Sequence, residues 1–141
     1  GKSLEAVFSQ KITRIGELLA DIEPFETERV DKIKARLESN LESINDKIDY
    51  DKNRLEQELI FYIEKLDVNE EKVRLKNHLE YFISTIKNEK SPGKKLGFIA
   101  QEIGREVNTL GSKSNHSEMQ KIVVVMKDEL EQIKEQVLNT L

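Results

Sequence analysis

The chain has 141 residues, no cysteine, no tryptophan and two prolines, and its 35% charged residues leave a formal net charge of −4. Disulfide stapling and thiolate chemistry are thereby excluded, and no apolar run approaches the roughly 18 residues of a membrane span. The length suits one domain with a real core, and few apolar residues among many charges favour long amphipathic helices over a sheet sandwich.

From Ser3 to Ile22, the residues Leu4, Val7, Phe8, Ile12, Ile15, Leu18, Leu19 and Ile22 recur at helical spacing, with Ser3 placed to cap. Pro24 interrupts the pattern, because proline cannot continue a helix interior. Val30, Ile33, Leu37, Leu41, Ile44 and Ile48 then run close to a heptad. Two such helices joined by a short turn predict a long antiparallel hairpin over residues 1–50, a coiled-coil arm or oligomerisation seam. A third helix carries Leu55, Leu59, Tyr62 and Leu66. Asp67 or Asn69 can cap a fourth, whose buried face is Leu75, Leu79, Phe82 and Ile86. Lys90-Ser91-Pro92-Gly93 is the clearest break in the chain.

After that break, Leu96, Ile99, Ile103, Val107 and Leu110 form the stripe of a fifth helix. Gly111 suits a left-handed helix end, followed by a polar turn to His116. Ser117 then opens a last helix with Met119, Ile122, Met126, Leu130, Ile133, Val137 and Leu141. The expected fold is all-α. It comprises the hairpin over 1–50 and a small helical bundle over 51–141 that carries the fifth helix.

Two features resist a purely structural reading. Glu106 falls on the apolar face of the fifth helix and Glu102 lies at its edge, where a carboxylate is costly to bury unless a cation, metal or donor meets it. On the fourth helix, Glu71, Arg74 and His78 make one polar stripe bordering the apolar face. The first two also suit a surface ion pair, and His78 a packing role. Gly111-Ser112-Lys113-Ser114-Asn115, leading into a helix start, can present backbone amides to an anion or serve as a plain connection. From Lys94 to Asn115 there are four basic and two acidic residues, a local excess only.

The segment KKLGFIAQEIGREVNTLGSKSN (94–115) closely resembles the C-terminal signature of the YicC/YloC family of bacterial RNA-cleaving proteins, (R/K)-K-L-D-F-hydrophobic-x-Q-E-x-x-R-E-x-N-T-x-x-S-K-S. The resemblance extends back through RLEQELIFYIEKLDVNEEKVRLKNHLEYF and on to EQVLN, closely from about Arg54 and more loosely before it. Gly97 stands where the family usually has Asp, and His116 where an Asp often follows. The resemblance implies a cytoplasmic endoribonuclease that cuts single-stranded RNA with Mn²⁺ or Mg²⁺ and assembles as a homo-oligomer, a hexamer. It also implies an additional N-terminal domain of comparable size. Read with it, Glu71, His78, Glu102 and Glu106 become candidates for the acidic and acid–base centre. Glu102 and Glu106, one turn apart, are the candidate metal pair. Arg74, Lys94, Lys95, Arg105, Asn108 and Lys113 are expected to contact RNA. A non-catalytic RNA-binding adaptor and a helical oligomerisation module are the alternatives.

Overall fold

The computed structural model describes residues 2–45 and 52–140. Six α-helices follow one another: α1 Lys2–Asp21, α2 Glu23–Asn45, α3 Lys52–Lys65, α4 Asn69–Asn88, α5 Gly93–Lys113 and α6 Ser117–Leu138. There is no strand among the described residues, and no helix there is long and apolar enough to cross a membrane. Ile48 of the predicted heptad, and Leu141, lie outside the described residues.

The hairpin expected over 1–50 takes the form of a long helix bent at Ile22. Pro24 enters α2 in its first turn, where its missing amide costs nothing, and it disfavours helical geometry at Glu23. The amides on either side still find carbonyls, Ile22 N to Leu19 O at 3.3 Å and Glu26 N to Ile22 O at 2.9 Å. Beyond the bend, α1 packs on α4 and α6, while α2 meets α1, α3 and α6 only sparingly. Phe8, Ile12, Ile15, Leu18 and Ile22 of α1 join one core with Leu75, Leu79 and Phe82 of α4, the α5 stripe and the buried face of α6. Phe8 and Phe82 meet edge-on at 5.4 Å. The core therefore does not divide at residue 50: α1 belongs with the bundle.

At the centre lies α5, packed between α4 and α6. Its flank towards α6 is a row of glycines spaced by seven, Gly97, Gly104 and Gly111. Seven residues make about two turns, so the row stays on one side. A Cβ at Gly111 would meet Val123 Cγ1 at 2.9 Å, at Gly104 it would meet Leu130 Cδ2 at 3.2 Å, and at Gly97 only Val137 Cγ1 at 3.9 Å. The two antiparallel helices are thus tightest at the C-terminal end of α5 and splay towards its start. Gly111 is helical, and no residue has positive φ among those described. The left-handed helix end expected there is replaced by a close helix contact that needs the missing Cβ.

Two caps also differ from expectation. The cap position of α4 falls on Val68, between the two residues expected, and carries no side-chain cap; Asp67 Oδ1, one residue earlier, accepts from Asn69 N at 3.2 Å. At α6 the cap is His116 rather than Ser117, its Nδ1 accepting from Glu118 N at 3.1 Å from an extended backbone. The short apolar run Ile122–Val125 is helical, with Val123 buried and Val124 exposed.

The splay makes a stability prediction. Gly111→Ala should cost about 1–3 kcal/mol by overpacking, whereas Gly97→Ala should gain about 0.5–1 kcal/mol through helix propensity. Urea unfolding of both variants checks this, and equal losses would contradict the divergence of the two helices.

Candidate functional site

Four of the residues singled out in the sequence converge on the seam between α4 and α5. Glu106, on the α4 flank of α5, is buried and receives Arg74 Nε at 3.0 Å. Glu71, in the first turn of α4, is also buried and receives Lys113 Nζ at 2.8 Å. Arg74 spans the two, with a terminal nitrogen 3.8 Å from Glu71 Oε1, and it reaches out to Glu70 Oε2 at 3.3 Å. Its hydrogen bond to the Glu106 carboxylate raises the Arg74 guanidinium above its ordinary value against the opposing effect of burial, with Glu70 adding to it.

The quartet of two acids and two cations is balanced in charge but incomplete in hydrogen bonding. Glu71 Oε2 and Glu106 Oε2 are buried atoms without a partner among the described residues. Buried polar atoms in folded proteins are nearly always satisfied, so two such acceptors in one cluster call for an explanation.

The remaining candidates stand elsewhere. Glu102 is exposed, 3.8 Å from the exposed Arg105. Although Glu102 and Glu106 are one turn apart, four residues rotate a helix by about 40°. That rotation turns Glu106 into the seam and leaves Glu102 in solvent, so they do not form the expected carboxylate pair. His78 is half-buried on α4, seven residues past Glu71 and so about 10 Å along the axis. It has no hydrogen bond or ion pair among the described residues. Lys95 pairs with Glu89 and sits 5.1 Å from the Tyr81 ring centroid; the Glu89 contact, with Tyr81, pushes its ammonium up to about 12. Lys94 and Asn108 are exposed on the outer side of α5.

Arg29 was missed, and it organises the region. Its guanidinium is buried, and its donors reach five acceptors. These are Glu26 Oε1 at 3.1 Å and Oε2 at 3.3 Å, Leu66 O at 2.6 Å, Lys113 O at 3.1 Å and Asn115 Oδ1 at 3.2 Å. One side chain on α2 thus clamps the turn before α4 to the turn after α5. Lys113 Nζ, anchored on Asp67 O at 3.2 Å, is delivered onto Glu71 by the same clamp. The signal was available: Glu26 continues the 3–4 spacing of Val30, Ile33 and Leu37 one step towards the N-terminus, an acid on an apolar stripe just as Glu106 is. Several carbonyls of the turn are engaged, although Ser112 and Asn115 are exposed. Arg29 and Gln120 take its carbonyls, with Gln120 Nε2 reaching Gly111 O at 2.6 Å and also Ser114 O. Ser114 Oγ donates to Leu110 O at 2.5 Å.

Among the described residues no group of three His, Cys, Asp or Glu gathers as a metal cage. Carboxylate oxygens are the donor type that a hard cation such as Mg²⁺ takes, and Glu71 Oε2 and Glu106 Oε2 are the two such atoms here without a partner among the described residues.

Comparison with known proteins places these residues in a family. The family model described as "Endoribonuclease YicC-like, C-terminal" matches residues 22–140. A relative named "Probable endoribonuclease YicC" in Clostridioides difficile is 35% identical over 140 residues, 99% of this chain and 48% of that protein. Another of the same name in Haemophilus influenzae is 36% identical over 92 residues, 65% of this chain and 32% of that protein. The chain spans about half the length of the first of these relatives, and less of the second.

Arg29→Met should lower the unfolding free energy by about 3–5 kcal/mol, because it strands a buried Glu26 and three further acceptors. Denaturant midpoints measure this. A loss below about 1 kcal/mol, the scale of an ordinary neutral hydrogen bond, would mean that the clamp is dispensable.

Proposed function

The chain belongs to the YicC-like endoribonuclease family, and on that premise we propose that it supplies the acid–cation centre of a metal-dependent endoribonuclease acting on single-stranded RNA. The single observation that carries this reading is the quartet of buried Glu71 and Glu106 with the more exposed Arg74 and Lys113, with two carboxylate oxygens left open. RNA cleavage needs an activated nucleophile and neutralisation of phosphate charge. In this reading Glu71 and Glu106 hold a divalent ion, Mn²⁺ or Mg²⁺, in place of the Glu102–Glu106 pair. When bound, that ion supplies Lewis-acid charge at the phosphate. Arg74 and Lys113 draw the RNA backbone to the seam, each already oriented by a carboxylate. Arg105, Lys94 and Asn108 extend the contact along the outer side of α5, while Lys95 stays tied to Glu89 and Tyr81. His78, a turn beyond Arg74, stands apart from the centre. Assembly as a homo-oligomer, a hexamer in the full-length protein, and a cytoplasmic setting belong to the same reading.

A non-catalytic RNA-binding adaptor is the rival, and it needs the same cations without the open carboxylate oxygens. Glu106→Gln preserves an oxygen for Arg74 Nε while removing the negative charge. In the full-length protein this variant should lose at least about 100-fold in cleavage of labelled single-stranded RNA with its helical circular dichroism unchanged. Chelation should abolish wild-type cutting and added Mn²⁺ or Mg²⁺ should restore it. Undiminished cleavage by the variant would remove Glu106 from the centre, and RNA binding by the wild type without any cutting would favour the adaptor.

A further inference from the structure

The divergence of α5 and α6 opens a groove of about 590 Å³ at the far end of α5 from Lys113, lined by Gly93, Lys94, Gly97, Phe98, Gln101, Lys134, Val137 and Leu138 among others. We propose that this groove is a nucleotide-binding subsite for single-stranded RNA. Phe98 is the platform for a base, Gln101 faces the base edge, and Lys94 and Lys134 take the flanking phosphates. The inference rests on RNA being the substrate and adds a site that lies away from the acid–cation seam.

Three observations converge on a nucleotide. First, Phe98 is 69% exposed and Leu138 67%, apolar surface left open beside Val137, which suits the face of a planar base. Gly97 adds no side chain to the floor, and even a Cβ there would stop 3.9 Å from Val137. Second, the lining holds two lysines and no acid, on a chain whose net charge is −4. Lys94 makes no ion pair among the described residues. Among the described residues Lys134 pairs only with Glu131, at 3.4 Å and with both side chains exposed, a contact weak enough to exchange for phosphate. Third, the start of α5 adds partial positive charge at the same mouth. Pro92 gives no side-chain cap there, and the first intrahelical bond runs from Leu96 N to Pro92 O at 2.8 Å. Phosphate binding by two cations and stacking on an exposed ring are how single strands are held without a duplex groove. A purely apolar protein partner would leave both lysines and Gln101 desolvated and unpaired.

On the outward side of α5, Lys94, Phe98, Gln101, Arg105 and Asn108 recur at spacings of three and four, so one helix face leads from the groove towards Lys113. That span, from 94 to 113, is close to 28 Å at about 1.5 Å per residue.

The test uses the full-length protein carrying Glu106→Gln, so that RNA persists, titrated with a fluorescent single-stranded oligonucleotide while sedimentation reports the assembly. Phe98→Ala should weaken binding about tenfold, and Phe98→Trp should restore it. Lys94→Gln with Lys134→Gln should flatten the plot of log affinity against log salt by about 1.4, two phosphates at roughly 0.7 each. Unchanged affinity and slope in these variants would overturn the subsite. A shift in assembly without a shift in RNA affinity would overturn it too, and would mark the groove as a contact between copies. These results are independent of catalysis. Wild-type protein that binds through Phe98 but never cuts would sink the nuclease reading alone, while cleavage that depends on Glu106 alongside a silent Phe98 would sink the subsite alone.

Discussion

The contact of Gly111 with Val123 governs how much of this molecule is arranged. With no Cβ on α5 at that point, Val123 of α6 sits where an added Cβ would be only 2.9 Å away, and Gly104 against Leu130 repeats the close approach two turns earlier. A helix pinned on one flank has no freedom to roll about its axis. The opposite flank is then committed, and Glu106 must point into the α4 seam instead of swinging out to water. Arg74 is its counterion there, at 3.0 Å. The same packing that seals one end of α5 leaves the other end ajar, because the glycine row loses contact by Gly97. Cluster and groove are two consequences of one inclined helix pair.

A second constraint comes from α2, which touches the bundle little apart from polar clamps. Arg29 holds Leu66 O and Lys113 O with one planar fork, so the end of α3 and the end of α5 are tied at a fixed spacing. A lysine could not reproduce this, since its point charge offers no fork. His116 adds a second fastening on α2, this time to the start of α6. It caps α6 through Nδ1, lies 5.3 Å from the Phe25 ring, and presents Nε2 to Glu28 Oε2 at 3.5 Å. Glu28 in turn is held below the usual carboxylate range, first by its hydrogen bond from Lys32 and then by His116. Lys113 therefore reaches Glu71 through a chain of contacts that begins on a helix distant in sequence.

The helices were legible because burial imposes a period of 3.6 on apolar residues, and Leu96, Ile99, Ile103, Val107 and Leu110 keep to it without a gap. Glu106 was legible for the converse reason, as a charge on the wrong face. Glu102 was over-read: a rotation of about 40° separates a solvated carboxylate from a buried one, and only the neighbouring helix says which side of that line a residue occupies. Gly111 shows a different limit. A glycine near a helix end serves either a left-handed turn or a close approach, and the choice rests on Val123, which lies across the seam. Arg29 escaped because, apart from Glu26 three residues away, its acceptors lie far along the chain, and two of them are backbone carbonyls, which carry no sequence signature. The placing of α1 in the bundle instead of alongside α2 was equally hidden, since an amphipathic stripe does not name the surface that covers it.

Stability alone does not account for the seam. The core beneath it is already closed by Leu75, Ile103, Val107 and Leu110, all fully buried. Replacing a buried ionic cluster by apolar side chains of similar volume is often neutral or stabilising. Two carboxylate oxygens without donors among the described residues make this cluster costlier still, since an unmet buried acceptor retains its full desolvation cost. The chemistry of what could meet them is narrow. A phosphodiester group brings only acceptors, so an RNA backbone by itself suits Arg74 and Lys113 but leaves Glu71 Oε2 and Glu106 Oε2 as they are. Those two atoms take a donor or a cation: a water, a hydroxyl or amine belonging to the nucleotide, or a metal ion. The seam thus offers two cations and two acceptor oxygens side by side, and under the proposed function RNA accompanied by a divalent ion would meet both.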